Sequence, residues 1–131
     1  MRAFREAVEA GDMDAVEALL AEDVVFTSPV VFKPYPGKAI TAAILRAVSQ
    51  VFEDFRYERE LAGADGRDHA LVFAARVGDR ELSGCDFIHL DEAGLIDELT
   101  VMVRPLSAAQ ALAAAMGAQF DRIEKEARAR A

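Results

Sequence analysis

The alternation of apolar and polar positions divides this chain into a helical first part and a strand-rich second part. Over residues 2–10, Phe4, Ala7 and Val8 share one face at helical spacing, and Gly11-Asp12 breaks the pattern. Asp12 is placed to cap a second helix, on which Val16, Leu19 and Leu20 recur with the same period. Residues 24–28 read as a short strand that Pro29 ends. The stretch FTSPVVFKPYPGK, residues 26–38, then holds three of the four prolines together with aromatics and valines. Pro36-Gly37 turns the chain into a third helix that buries Ile44, Leu45, Val48, Val51 and Phe52.

From there the period changes to two. Residues 57–62, 69–77, 80–90 and 95–104 read as strands, separated by turn chemistry at residues 63–66, 78–79 and 91–94. Connections this short join antiparallel neighbours. Helices first and a meander afterwards predict an α+β fold, with the helices laid on one face of a curved antiparallel sheet. Ser107 and Gln110 are spaced as a capping box for a last helix from residue 108 to about 130. The expected organisation is an α+β domain over residues 1–106, with a C-terminal helical extension of the same domain over 107–131.

Composition narrows the partners. A chain of 131 residues forms one domain with room for a sizeable core. The net charge of −8 argues against nucleic acid, whose phosphates need clustered Lys and Arg. No apolar run approaches the ~20 residues of a membrane span, and no basic amphipathic stretch suits a membrane surface. The start, MRAFREAVEAGD, is amphipathic and has no apolar leader segment. Cys85 stands alone, so no internal disulfide can form, and a reducing cytoplasm is the simplest setting. A small molecule or another protein remains as partner.

Strand parity exposes one unusual position. In residues 80–90 the even side chains are Leu82, Gly84, Asp86, Ile88 and Leu90, an apolar face with a carboxylate at its centre. A carboxylate there is paired, or neutral through a raised pKa. One reading gives Asp86 a structural partner, such as a backbone amide, a tyrosine or a helix start. The other makes it a functional acid in a cavity, with Gly84 leaving room for a ligand. The otherwise apolar face favours the second reading. The next strand aligns Leu95, Leu99, Val101 and Val103, with Asp97 expected in solvent near the turn.

Other constellations are weaker. Asp86 and His89 have D-x-x-H spacing but point to opposite faces, and His69 is the only other histidine, so no metal site is expected. Ser28 has no histidine placed to activate it as a nucleophile. Cys85 falls on the face opposite Asp86. Leu112, Met116 and Phe120 line one side of the last helix, a pattern that favours packing on the body over covering a cavity.

The segments AGDMDAVEALLAEDVVFTSP, PGKAITAAI and CDFIHLDEAGLIDEL, in that order, resemble the nuclear transport factor 2-like superfamily of cystatin-like folds. Within it the chain is similar to the SnoaL-like group of polyketide cyclases and ketosteroid isomerase relatives, over about residues 3–106. The resemblance implies a cone, with a bent sheet wrapped around helices and an apolar cavity inside, and commonly a homodimer. It places the isomerase's buried acid on Asp86. The tyrosine that partners that acid falls on Phe4, and the general base falls on Ser28, so two of three functional positions are lost.

The expectation is therefore a hydrophobic, carbonyl-bearing small molecule bound in the cone cavity without a cofactor, with Asp86 as acid/base or hydrogen-bond donor. The alternative is a non-catalytic binding or dimerisation domain. Phe4, Phe26, Ser28, Phe32 and Tyr35 are expected to line the cavity or its rim, with Ile88, Leu99 and Val101 below. Residues 26–38 then form the lip of a pocket rather than a plug in the core. An outer sheet face bearing Val72, Ala74, Cys85, Phe87 and Met102 is too apolar for a wet surface and points to a homodimer.

Overall fold

The computed structural model describes residues 1–130. Helix α1 spans Arg2–Ala10 and stops at Gly11, which adopts a left-handed conformation (φ 71°) while the amides behind the helix close onto Val8 and Ala7. Asp12 caps α2, Met13–Ala18, by accepting from the Ala15 amide at 3.1 Å. Strand β1 follows at once as Leu20–Thr27, so Leu20 belongs to the sheet and not to the helix. A two-residue strand β2, Tyr35–Pro36, folds back on β1 and leads into α3, Lys38–Val51.

The meander is β3 (Glu53–Ala62), β4 (Asp68–Val77), β5 (Arg80–Leu90) and β6 (Ile96–Arg104). The six strands form one sheet in the order β2-β1-β6-β5-β4-β3. The α+β cystatin-like fold is as expected, but the curved sheet is mixed. All other neighbours are antiparallel, while β1 runs parallel to β6. Adjacent strands of the meander reverse direction at each hairpin. β1 instead docks on the free edge of β6 from far away in sequence, and no short turn dictates its direction.

Helices α1 and α3 bury Phe4, Ala7, Ile44 and Leu45 in the same core as Leu71, Phe73, Leu82 and Leu99 of the sheet. Gly84 lies within that core for a reason different from the one expected. A Cβ there would sit 2.2 Å from Cζ of Phe73 and 2.8 Å from the Met102 carbonyl. Gly84 and Phe73 are cross-strand partners, and the ring occupies the space that the missing side chain leaves. The room belongs to Phe73, not to a ligand.

The bulge between β5 and β6 corrects a second expectation. Register slips between His89 and Leu90, so Ile96 rather than Leu95 enters the core. Asp97 sits in the slip and is only partly exposed, with Oδ1 2.6 Å from Nδ1 of His89. It is paired rather than solvated, and that bond raises the pKa of His89.

The C-terminal segment is two helices, α4 (Leu106–Gly117) and α5 (Phe120–Arg130), in place of one. Ser107 falls inside α4, behind an N-cap at Pro105, so its hydroxyl cannot serve as the cap and the expected box with Gln110 does not form. α4 rests against β4, β5 and β6, and α5 packs along α3. At the far end of α5, Arg130 donates to both carboxylate oxygens of Glu17, at 3.0 and 3.3 Å. Glu17 also accepts from Arg46 of α3, at 2.5 Å. Among the described residues no helix is long and apolar enough to cross a membrane.

Candidate functional site

Between the concave face of the sheet and the helices lies a cavity of about 310 Å³. Its wall is apolar apart from a few hydroxyls and one carboxylate, Asp86. The side chain reaches the cavity because β5 turns its even positions inward, as parity requires. Asp86 is 8% exposed and registers with Leu71 on one side and Val101 on the other. Neither neighbour offers it a hydrogen bond from its side chain.

The partner comes from further off. Tyr57 on β3, beyond β4, donates its hydroxyl to Oδ2 of Asp86 at 2.7 Å. Burial raises the Asp86 pKa to about 7, and the Tyr57 hydrogen bond pulls it back only in part. Burial and the adjacent carboxylate push the Tyr57 phenol well above its ordinary range, so it stays a donor at neutral pH. Among the described residues every sealed side-chain polar atom has a hydrogen-bond partner, whereas Oδ1 of Asp86 has none. That oxygen therefore opens on the cavity its residue lines.

Two aromatic groups flank the site. At the β3 edge, Phe52, Phe55, Tyr57 and Phe73 form a closed set, with centroid separations of 4.9 Å for Phe55–Tyr57 and Phe55–Phe73. The Arg5 guanidinium lies 5.9 Å from the centre of the Tyr57 ring. At the β2 edge, Phe26, Tyr35 and Phe120 form a string, 6.4 and 6.2 Å apart.

Of the residues singled out from sequence, Asp86, Phe4, Phe26, Ser28, Tyr35, Leu99 and Val101 are brought together around the cavity. Ile88 is buried in the core but does not line it, lying two residues further along β5. Phe32 stands wholly in solvent. The reason is the turn before it, where Ser28 Oγ accepts from the amides of Val30 and Val31, at 3.2 and 2.9 Å. That turn brings Pro29, Val30 and Val31 to the cavity and leaves Phe32 outside. Of the stretch 26–38, then, Phe26, residues 28–31 and Tyr35 border the cavity and Phe32 does not.

Tyr57 was missed by sequence reading, which placed it only as the first residue of a strand. It stands on the edge strand two residues after Phe55 and is followed by Glu58, Arg59 and Glu60, a pattern that carries no signal for a partner on β5. The C-terminal helices were also misjudged. Leu112, Met116 and Phe120 all line the cavity, so the helix pair covers it as well as packing on α3.

Comparison with known proteins fits this geometry. Residues 1–99 match the family model of the SnoaL-like domain. No curated protein matches the chain. Among solved structures, a steroid delta-isomerase from Pseudomonas aeruginosa is similar at 45% identity and TM-score 0.87, over 91% of this chain and 87% of that one. A protein with a cystatin-like fold from Silicibacter pomeroyi DSS-3 is similar at 40% identity and TM-score 0.88, covering 95% and 89%. The epoxide hydrolase/cyclase-like enzyme SalBIII of salinomycin pyran ring formation shares the fold at 21% identity and TM-score 0.65, over 80% and 87%.

Proposed function

This chain belongs to the SnoaL-like domain family, and we propose that its cavity binds a hydrophobic, carbonyl-bearing small molecule whose oxygen meets Asp86. The observation that carries the reading is the pair of Asp86 oxygens. Oδ2 is held by Tyr57, and Oδ1 faces an apolar cavity with no partner among the described residues. With a pKa of about 7 the acid is about half protonated near neutrality. The neutral form donates a hydrogen bond from Oδ1 to a ketone, or to the oxyanion that forms as the carbonyl is enolised. The cavity volume lies at the low end of the ~300–1,000 Å³ range of small-molecule sites. That suits a steroid or polyketide fragment.

Proton abstraction from carbon needs a base as well as a donor. Ser28 stands where the isomerase resemblance puts that base, and its oxygen is engaged by two backbone amides. Among the described residues Asp86 is the one carboxylate on the cavity wall. This favours acid-assisted chemistry of the cyclase or hydrolase kind, or binding without turnover, over ketosteroid isomerisation. The relative named as a steroid delta-isomerase makes ketosteroids the first ligands to try.

Thermal-shift and calorimetric titration with 2-acetylnaphthalene and a β,γ-unsaturated 3-ketosteroid test the reading. Both ligands should stabilise the native state, Asp86→Leu should abolish the effect, and no conjugated enone should accumulate. Undiminished binding by Asp86→Leu would overturn the role given to the acid.

The outer sheet face supports a second proposal, a homodimer. Cys85 registers with Val72 and Met102, Phe87 with Ala70, and Phe87 and Met102 are 42% and 58% exposed. A two-fold pairing of this apolar strip would cover it. Light scattering at micromolar concentration should give twice the chain mass for the wild type and the chain mass for Phe87→Glu. A monomeric wild type would refute the interface.

A further inference from the structure

The two aromatic groups close the cavity to different degrees. Behind Tyr57, the β3 edge is filled by Phe52, Phe55 and Phe73, with ring centroids 4.9 to 5.8 Å apart. No ligand anchored on Asp86 can extend that way without dismantling the core. Toward the β2 edge the wall is completed by Phe120 of α5, set against Tyr35 at 6.2 Å. One turn earlier, at the end of α4, Met116 lines the same space. Both side chains are only partly buried and pack on the core from outside it.

We propose that Met116 and Phe120 are the specificity-determining residues of this cavity, setting how far a ligand anchored on Asp86 can extend. The inference rests on the binding reading above. The helix pair lies beyond the family-matched residues 1–99, so the anchor and the length limit are built from different parts of the chain. Phe120 starts α5, while the attachments of that helix lie further along it, at the buried Ile123 and at the Arg130–Glu17 ion pair. The length limit can therefore be altered without removing the helix from its seat.

The test is a ketone series of increasing length, acetophenone, 2-acetylnaphthalene and a tetracyclic 3-ketosteroid, titrated calorimetrically into full-length protein. Phe120→Ala should shift the affinity ratio toward the tetracyclic ketone by roughly tenfold, the scale of a pocket gaining or losing a small apolar group. Met116→Phe adds bulk and should shift it about as far toward acetophenone. Circular dichroism checks that α5 remains helical, and Met116→Phe carries the test alone if Phe120→Ala loosens it. Opposite shifts in the two variants support the proposal. Unchanged size ranking with ketones still bound would overturn it and leave the binding reading intact. Failure of every ketone to bind the wild type would remove the binding reading and this inference with it.

Discussion

The two aromatic groups that flank Asp86 are made of the same residue types and behave as different kinds of wall. Phe52, Phe55, Tyr57 and Phe73 come from neighbouring segments, the end of α3 and the paired strands β3 and β4, and each ring touches more than one other. Phe26, Tyr35 and Phe120 come from β1, β2 and α5 and meet only in sequence, end to end. A closed set of rings at edge-to-face and stacked distances fixes its members mutually. An open string leaves its last ring free to change without disturbing the first. The acid is attached to the closed set through Tyr57, so the polar anchor of the site sits on the rigid side and the apolar limit on the adjustable one.

Truncation should break the comparison most sharply. Phe73 is 1% exposed and its ring also fills the space over Gly84. Phe73→Ala should therefore cost about 3–5 kcal/mol in urea unfolding, the usual scale for an emptied core ring. Phe120→Ala should cost only about 1–2 kcal/mol, because its ring is partly in solvent already. Equal losses would mean that the two walls are energetically alike.

The pH dependence sharpens the comparison from the side of the acid. The folded pKa of Asp86 is raised from 3.8 to about 7, so the native state holds its proton where the unfolded chain releases it. Its contribution to stability is whole below the unfolded value, falls as pH rises between the two, and levels off above about 7. At roughly 1.4 kcal/mol per unit the full span is about 4 kcal/mol at most. Asp86→Asn should flatten that slope in denaturation curves measured from pH 4 to 8. Tyr57→Phe should move the lower end of the plateau upward, since the carboxylate loses its donor, and carboxyl carbon NMR should show the higher pKa directly. A carboxyl titrating near 3.8 would show that the site is wetter than its surroundings imply.

The smallest effect lies at the far end of the adjustable side. Arg130→Ala removes a partly exposed ion pair and should cost no more than about 1 kcal/mol, with most of it screened at high salt. A larger, salt-insensitive loss would make α5 part of the core.

What could be read from sequence follows the same division. Asp86 was legible because its conflict is local, a charge at an even position on an otherwise apolar strand face, and β5 keeps its parity throughout. Tyr57 was not, because its partner lies two strands away and nothing in residues 53–62 announces it. Gly84 was read as free space, since a strand pattern shows a gap but not the ring that crosses into it from β4. Asp97 was misplaced by one slipped residue, which inverts side-chain direction beyond it. Phe32 was lost to a turn set by the Ser28 hydroxyl. The break at residues 118–119 was hidden in an alanine-rich run whose composition favours helix on both sides.

The ion pair between Glu17 and Arg130 joins residues 113 positions apart. Closing a loop of that length in an unfolded chain costs chain entropy for a surface contact that returns little. Once the sheet and the first three helices have formed, the same closure orders only the C-terminal helices. This order of cost predicts that α5 docks last, on a sheet already formed. The reverse holds for local opening: the amides of α5, which buries only Ile123, should exchange with solvent before those of β4 and β5. Such a local opening would uncover the cavity wall that Met116 and Phe120 complete while the sheet stays folded.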